Sequence, residues 1–135
     1  MRFAGYAAVF DRPDRGGDVV RAGAFARSLA SGPRGVPLLW QHDMGRPVGR
    51  IEYLREDKRG LRVIARLSEG RAGREAAALL QEGAVRGLSF GYRVRKASGE
   101  APRELEDLDL VEVSLVTAPM QPKARVHALE GGDAP

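Results

Sequence analysis

Leu61 to Leu67 alternate without a break: Leu61, Val63, Ala65 and Leu67 share one face of an extended chain, and Arg62, Ile64 and Arg66 share the other. A period of two excludes a helical stripe and commits this stretch to a sheet with one well-buried face. The preceding Arg55-Glu56-Asp57-Lys58-Arg59-Gly60 is a polar connection of hairpin length, so the apolar run Val48 to Leu54 is its expected antiparallel partner. The same kind of segment recurs along the chain. Phe3 to Phe10 predicts a first strand, and its small residues at 4, 5, 7 and 8 imply close packing in a curved sheet. Residues 11–18 form a loop by their turn signals, and Val19 to Arg21 a short strand. Val36 to Trp40 predicts a buried strand that ends at Gln41-His42-Asp43, with a turn at Gly45-Arg46-Pro47. Leu88 to Lys96 and Leu108 to Val116 predict two more, the last stopped by Thr117-Ala118-Pro119.

Two segments carry helical signals instead. Phe25 and Leu29 lie four apart in Ala22 to Ala30, before the breaker Ser31-Gly32-Pro33-Arg34-Gly35. Arg71 to Glu82 contains Ala76-Ala77-Ala78-Leu79-Leu80, with Gly83 suited to the residue just past a helix end. The sum is a mainly β protein with α elements. About six or seven strands would form a small closed or curled antiparallel β-barrel, with two or more helices outside. A chain of 135 residues fits one domain, here 1–129, and Glu130 to Pro135 is an expected disordered tail.

Composition removes several kinds of chemistry. There is no cysteine, which excludes disulfides, thiolate metal sites and a cysteine nucleophile. No apolar run is long enough for a membrane span, and the N-terminus lacks the apolar stretch of a signal peptide, so a soluble cytoplasmic protein is expected. The net charge of +4 does not by itself point to nucleic acid. The arginines are spread along the chain and interleaved with 18 acidic residues, without a basic stripe.

Reactive side chains concentrate in three places. His42 is one of 2 histidines and follows an apolar strand beside Trp40. The other, His127, lies close to the C-terminus. His42 suits either a general base or a half-buried ring bonded to backbone. Among seven hydroxyl residues, Ser28, Ser31, Ser68, Ser89, Ser98, Ser114 and Thr117, Ser89 is set apart by flanking Gly87 and Gly91. In strand alternation Ser89 faces away from Leu88, Phe90 and Tyr92, above a floor without a side chain at Gly91. That suits a nucleophile approached by a substrate backbone, and equally a small residue in the crowded interior of a barrel. Glu112 is the odd residue in its apolar strand, where alternation groups it with Leu108, Leu110, Ser114 and Val116. A carboxylate there needs a partner, either a histidine that becomes charged or one of the arginines. Asp43 and Asp109 are the other candidate carboxylates. Asp43, adjacent to His42, would point to the opposite face of a regular strand.

In order along the chain, Gly5-Tyr6-Ala7, Gly23-Ala24-Phe25 with Ser28-Leu29, Leu39-Trp40-Gln41-His42-Asp43 with Pro47-Val48-Gly49, Gly87-Leu88-Ser89-Phe90-Gly91-Tyr92, and Glu112-Val113-Ser114-Leu115-Val116 with Pro119 resemble the landmarks of the phage prohead serine proteases. The resemblance extends from Phe3 to about Val126. It implies a herpesvirus-assemblin-like fold and endopeptidase cleavage of scaffold segments and capsid precursor inside the immature shell, in the host cytoplasm. It assigns the base to His42 and the nucleophile to Ser89. Herpesvirus relatives use a second histidine at the third position; here Glu112 in the matching strand takes it, ahead of Asp43 and Asp109. Backbone N–H groups near Arg86-Gly87, or the Arg86 side chain, are the oxyanion candidates. No metal or cofactor is implied, and no nucleic-acid or membrane partner. Herpesvirus-type relatives dimerise through a helix, a role open to 71–82, whose alanine-rich face suits its own sheet equally well. Phage relatives often continue into a longer C-terminal region, so a minimal version, as in a prophage remnant or gene-transfer particle, is a further expectation. The competing function is an assembly factor that binds capsid or scaffold without cutting it.

Overall fold

The strands predicted around the Arg55–Gly60 connection form as a long hairpin in the computed structural model, which describes residues 1–131. In chain order the elements are β1 (Arg2–Val9), β2 (Asp18–Val20), β3 (Leu38–Trp40), β4 (Asp43–Glu56), β5 (Gly60–Leu67), α1 (Arg71–Gln81), β6 (Gly87–Ser98), β7 (Arg103–Val116) and β8 (Val126–Glu130). All eight strands belong to one sheet, ordered β2-β7-β3-β4-β5-β1-β8, with β6 on the other side of β7. The alternation of β5 does what it predicts: Leu61, Val63, Ala65 and Leu67 are buried, and Arg62, Ile64 and Arg66 are half-buried.

The sheet curls around an apolar core that includes Phe3, Phe25, Leu38, Leu61, Leu88 and Leu115, and α1 closes one side with Ala76 and Leu80. Gly73 of α1 has no room for a side chain, because a β-carbon there would lie 2.1 Å from the Ser68 carbonyl oxygen. The helix therefore sits tight on the turn that enters it, and its buried face meets β4 and β5.

Several expectations need correction. Among the described residues there are eight strands, and β8 was not anticipated; Glu130, assigned to the tail, pairs with Arg2 at the end of that strand. The rest of the expected tail, residues 132–135, lies outside the described residues. The sheet is not wholly antiparallel, since β2 and β3 both run parallel to β7. Nor does it close into a barrel. The edge of β6 meets the segment before β8 only through a bridge between Gly87 and Arg125, with hydrogen bonds from Leu88 N to Ala124 O (2.9 Å) and from Val126 N to Arg86 O (2.8 Å).

Among the described residues one α-helix forms, not two. The 22–30 segment is a chain of turns because its polar groups bond elsewhere. Ala24 O accepts from Leu108 N, and the Ser28 hydroxyl oxygen accepts from Leu110 N. Gly23 has φ +92°, and the Glu56 carboxylate accepts from both Gly23 N and Phe25 N at 2.7 and 2.8 Å. A regular helix cannot grow through a left-handed residue, and the Ala24 carbonyl beside it serves a strand. Phe25 still reaches the core, edge-on to Phe90 at 5.2 Å between centroids.

Candidate active site

Strand β7 changes phase at Val111. Gly91 pairs with Glu112, but Tyr92 pairs with Leu110, leaving Val111 as an extra residue on β7. Directly opposed residues share a face, so this bulge corrects the grouping expected from simple alternation. Leu108 and Leu110 join Leu88, Phe90, Tyr92, Val113 and Leu115 on the core side. Glu112 and Ser114 lie on the other face, opposite Gly91 and Ser89.

The histidine reaches that face from a tight turn. Trp40 pairs with Asp43, so Gln41 and His42 form a two-residue hairpin loop between β3 and β4. Both have positive φ, 51° and 63°, the signs of a type I′ turn, which asparagine and glycine occupy more comfortably. Such conformations cost about 1–3 kcal/mol each and persist only where surroundings hold them. Four hydrogen bonds do so here. Gln41 N donates to Leu115 O (2.9 Å), and His42 N donates to Ser114 Oγ (3.0 Å). The Gln41 amide donates to Thr117 Oγ1 and accepts from Thr117 N, both at 3.1 Å.

From this turn the imidazole meets the carboxylate. His42 Nδ1 hydrogen-bonds Glu112 Oε2, and the Ser114 hydroxyl donates to Glu112 Oε1 at 2.6 Å. Ser114 thereby links the His42 backbone to the carboxylate that holds the His42 ring. Glu112 is almost wholly covered, with its side chain 6% exposed against 44% for His42. An ionised carboxylate only accepts hydrogen bonds, so against one Nδ1 is the donor, and in a neutral ring Nε2 is then the nitrogen that can take a proton. Nε2 has no hydrogen-bond partner among the described residues. Gly91 makes the arrangement possible: a β-carbon there would come within 2.5 Å of Glu112 Oε2 and 3.0 Å of its Cδ. The glycine two residues beyond Ser89 is thus clearance for the carboxylate.

Ser89 lies on the same face, directly opposite Ser114, and is 7% exposed. Among the described residues no hydrogen bond joins it to His42. The other candidates lie elsewhere. Asp43 accepts from Gly45 N (2.8 Å) within its own turn. Asp109 is held by Arg27 and Arg95, both at 2.5 Å, and these guanidinium groups keep its carboxyl below the usual range. His127 lies in β8 beside Tyr6, with ring centroids 5.9 Å apart, and burial together with Arg62 and Arg59 pushes its pKa down. Of the oxyanion candidates, Arg86 packs its guanidinium against Gly83, and the Leu88 N–H that follows Gly87 is taken by Ala124 O. Sequence reasoning gave Ser114 no role; its only signal is its place two residues beyond Glu112, on the same side of the strand.

Residues 1–133 match the family model of the caudovirus prohead serine protease. The chain belongs to that family. The prohead protease of Enterobacteria phage HK97 is 34% identical over 139 residues, which is 97% of this chain and 61% of that protein. The chain spans about six-tenths of the length of the prohead proteases of Enterobacteria phage HK97 and Escherichia phage T5. In three dimensions this prohead protease family member resembles the bacteriophage T4 capsid assembly protease, with a TM-score of 0.69 at 15% identity over 87% of this chain and 82% of that one. It also resembles the KSHV protease, solved with a hexapeptide phosphonate inhibitor, with a TM-score of 0.63 at 14% identity over 93% of this chain and 63% of that one. The herpesvirus-protease-like fold expected from the sequence is therefore present, with an open sheet and a single helix among the described residues.

Proposed function

We propose that this chain is a serine endopeptidase that cuts capsid precursor or scaffold polypeptide during head maturation. Ser89 is the nucleophile, His42 the general base, and Glu112 the group that orients His42. The observation that carries this reading is the Glu112–His42 pair, closed through Ser114, on the face of β6 and β7 that bears Ser89. Family membership supports the reaction class.

The chemistry follows from those roles. His42 Nε2 takes the Ser89 hydroxyl proton as Oγ attacks the scissile carbonyl. The imidazolium then gives that proton to the departing amine, leaving an acyl-Ser89 ester. Water, deprotonated by His42, hydrolyses the ester and restores the hydroxyl. Glu112 keeps Nδ1–H in place and favours the positive ring of each transition state. Free serine–histidine geometry is often loose and tightens when substrate binds, which accommodates the missing Ser89–His42 hydrogen bond.

The test is co-expression with the neighbouring capsid protein, followed by intact-mass measurement of the capsid subunit. Truncation is expected with the unmodified chain and not with Ser89→Ala or His42→Ala. Glu112→Gln should leave measurable but reduced cleavage. A full-length subunit in particles that contain the folded protein would replace this reading with that of a non-cutting assembly factor. The work would take place inside the immature shell in the host cytoplasm. Among the described residues no helix is long and apolar enough to cross a membrane. Any homodimer through α1 would use its outer face, with Arg71, Arg74 and Glu75, since Gly73, Ala76 and Leu80 are buried in the chain's own fold.

A further inference from the structure

The cations of this chain divide into two populations. Arg2, Arg21, Arg27, Arg95 and Arg103 are held in ion pairs. By contrast, Arg12, Lys58, Arg59, Lys123 and Arg125 form no ion pair among the described residues, and they converge. A cavity of about 400 Å³ is bounded by Tyr6, Arg59, Lys123, Arg125 and His127 with Pro122 and Val126. An adjoining hollow of about 330 Å³ shares Arg59 and Lys123 and adds Arg12 and Lys58. Neither is lined by a carboxylate. The nearest acidic groups are held elsewhere: Asp57 keeps its charge but accepts from the Tyr6 hydroxyl, Arg59 N and Gly60 N, and Asp11 pairs with Arg21. Cations thus outnumber carboxylates around the two hollows, and burial together with Arg62 and Arg59 pushes the His127 pKa down.

The position of this basin gives it meaning. Arg125 bridges to Gly87, two residues before Ser89, and Ala124 O accepts from Leu88 N. The cationic segment is thus hydrogen-bonded to the strand that carries the proposed nucleophile. We propose that the basin formed by Arg12, Lys58, Arg59, Lys123 and Arg125 is a docking site for an acidic stretch of polypeptide, which tethers the substrate beside the Ser89 strand. The occupant follows from shape as well as charge. Two small adjoining hollows accept carboxylate side chains, whereas a nucleic-acid backbone requires a longer positive track. The proposal rests on the protease reading only for the identity of its partner as substrate; binding itself does not depend on cleavage.

The experiment uses the full chain carrying Ser89→Ala, so that no probe is cut. A fluorescent glutamate- and aspartate-rich peptide is titrated and followed by anisotropy at low and high salt, in parallel with a DNA duplex of the same net charge. Saturable peptide binding that weakens with salt is expected, as is a loss of about tenfold or more with Lys58→Glu/Lys123→Glu. Arg34→Glu/Arg74→Glu, which changes the net charge equally at other exposed positions, should leave it within about twofold. Absence of peptide binding at low salt, an equal loss in both double variants, or tighter binding of the duplex would each overturn the proposal. Labelling of Ser89 by a peptidyl phosphonate, in chains that retain the serine, separates this result from the catalytic reading. Labelling with no peptide binding removes the basin alone, and failure to label the unmodified chain removes the catalytic reading alone.

Discussion

A glycine and a serine do as much for the carboxylate–imidazole pair as the pair does for itself. Gly91 leaves the volume that Glu112 fills, and Ser114 holds both the carboxylate and the His42 backbone. Gly91→Ala places a methyl where Glu112 Oε2 now lies, so the carboxylate must move away from Nδ1. Capsid cleavage is expected to slow by about tenfold or more while the fold survives, because a small displacement of an orienting group is costly to turnover. Parallel rate and thermal-melting measurements check this; normal cleavage in the alanine variant would show that Glu112 is not needed where it stands. The turn offers a second check. At φ 63° a β-carbon is a burden, so His42→Gly should melt higher than His42→Ala although both lack the imidazole. Equal melting temperatures would mean that the turn relaxes once the ring is gone.

Between elements, a few polar side chains replace backbone ladders. Gln121 is buried and closes both ends of one gap, accepting from Val9 N (2.8 Å) and donating to Val9 O (2.9 Å). Gln121→Ala leaves both backbone groups without that partner and should cost about 2–6 kcal/mol in urea unfolding, given about 1–3 for each unsatisfied buried group. The β4–β5 connection is tied to β1 by the Tyr6 hydroxyl donating to Asp57. Burial acts to raise the Asp57 carboxyl above its ordinary 3.8, but the bonds from Tyr6, Arg59 N and Gly60 N outweigh it and hold the group lower. Its contribution to stability is therefore present above about pH 4 and lost as pH falls through the lowered value. Melting curves of Asp57→Asn and the unmodified chain should differ near neutrality and converge as pH falls below the lowered Asp57 value; a constant gap would exclude this carboxylate as the source. The sequence made β5, its hairpin partner and α1 legible because each buries one face at a regular period. It hid the fate of 22–30, where Phe25 and Leu29 have helical spacing but the Ala24 carbonyl and the Ser28 hydroxyl are claimed by residues more than eighty positions away. His42, Ser89 and Glu112 stood out as polar groups in apolar or glycine-rich surroundings. The clearance role of Gly91 was invisible, because a bulge in a distant strand decides what lies opposite it.

For the whole molecule, an even count of charges along the sequence concealed an uneven distribution in space. Ion pairs absorb many cations, and five of those outside them, Arg12, Lys58, Arg59, Lys123 and Arg125, collect beside the segment that leads into β8. The sheet likewise has a single connected core, yet it presents polar chemistry from the same strands that build that core. The extra residue in β7 reconciles the two. If Val111 took a regular place in one uninterrupted pleat, the strand would face a choice. Either Leu108 and Leu110 would turn outward, or Glu112 and Ser114 would turn into the hydrocarbon interior. Deleting Val111 avoids that conflict, because Leu110 and Glu112 then become neighbours on opposite faces and keep their present partners on β6. The deletion is therefore expected to fold, by expression and circular-dichroism measurements; an unfolded deletion would mean that the fold needs the local twist of the bulge and not only its change of phase. Val111 therefore works as a frame-shift written into backbone geometry: it couples the reading frame of the hydrophobic stripe to that of the reactive residues, so the strand cannot settle its core without turning Glu112 outward.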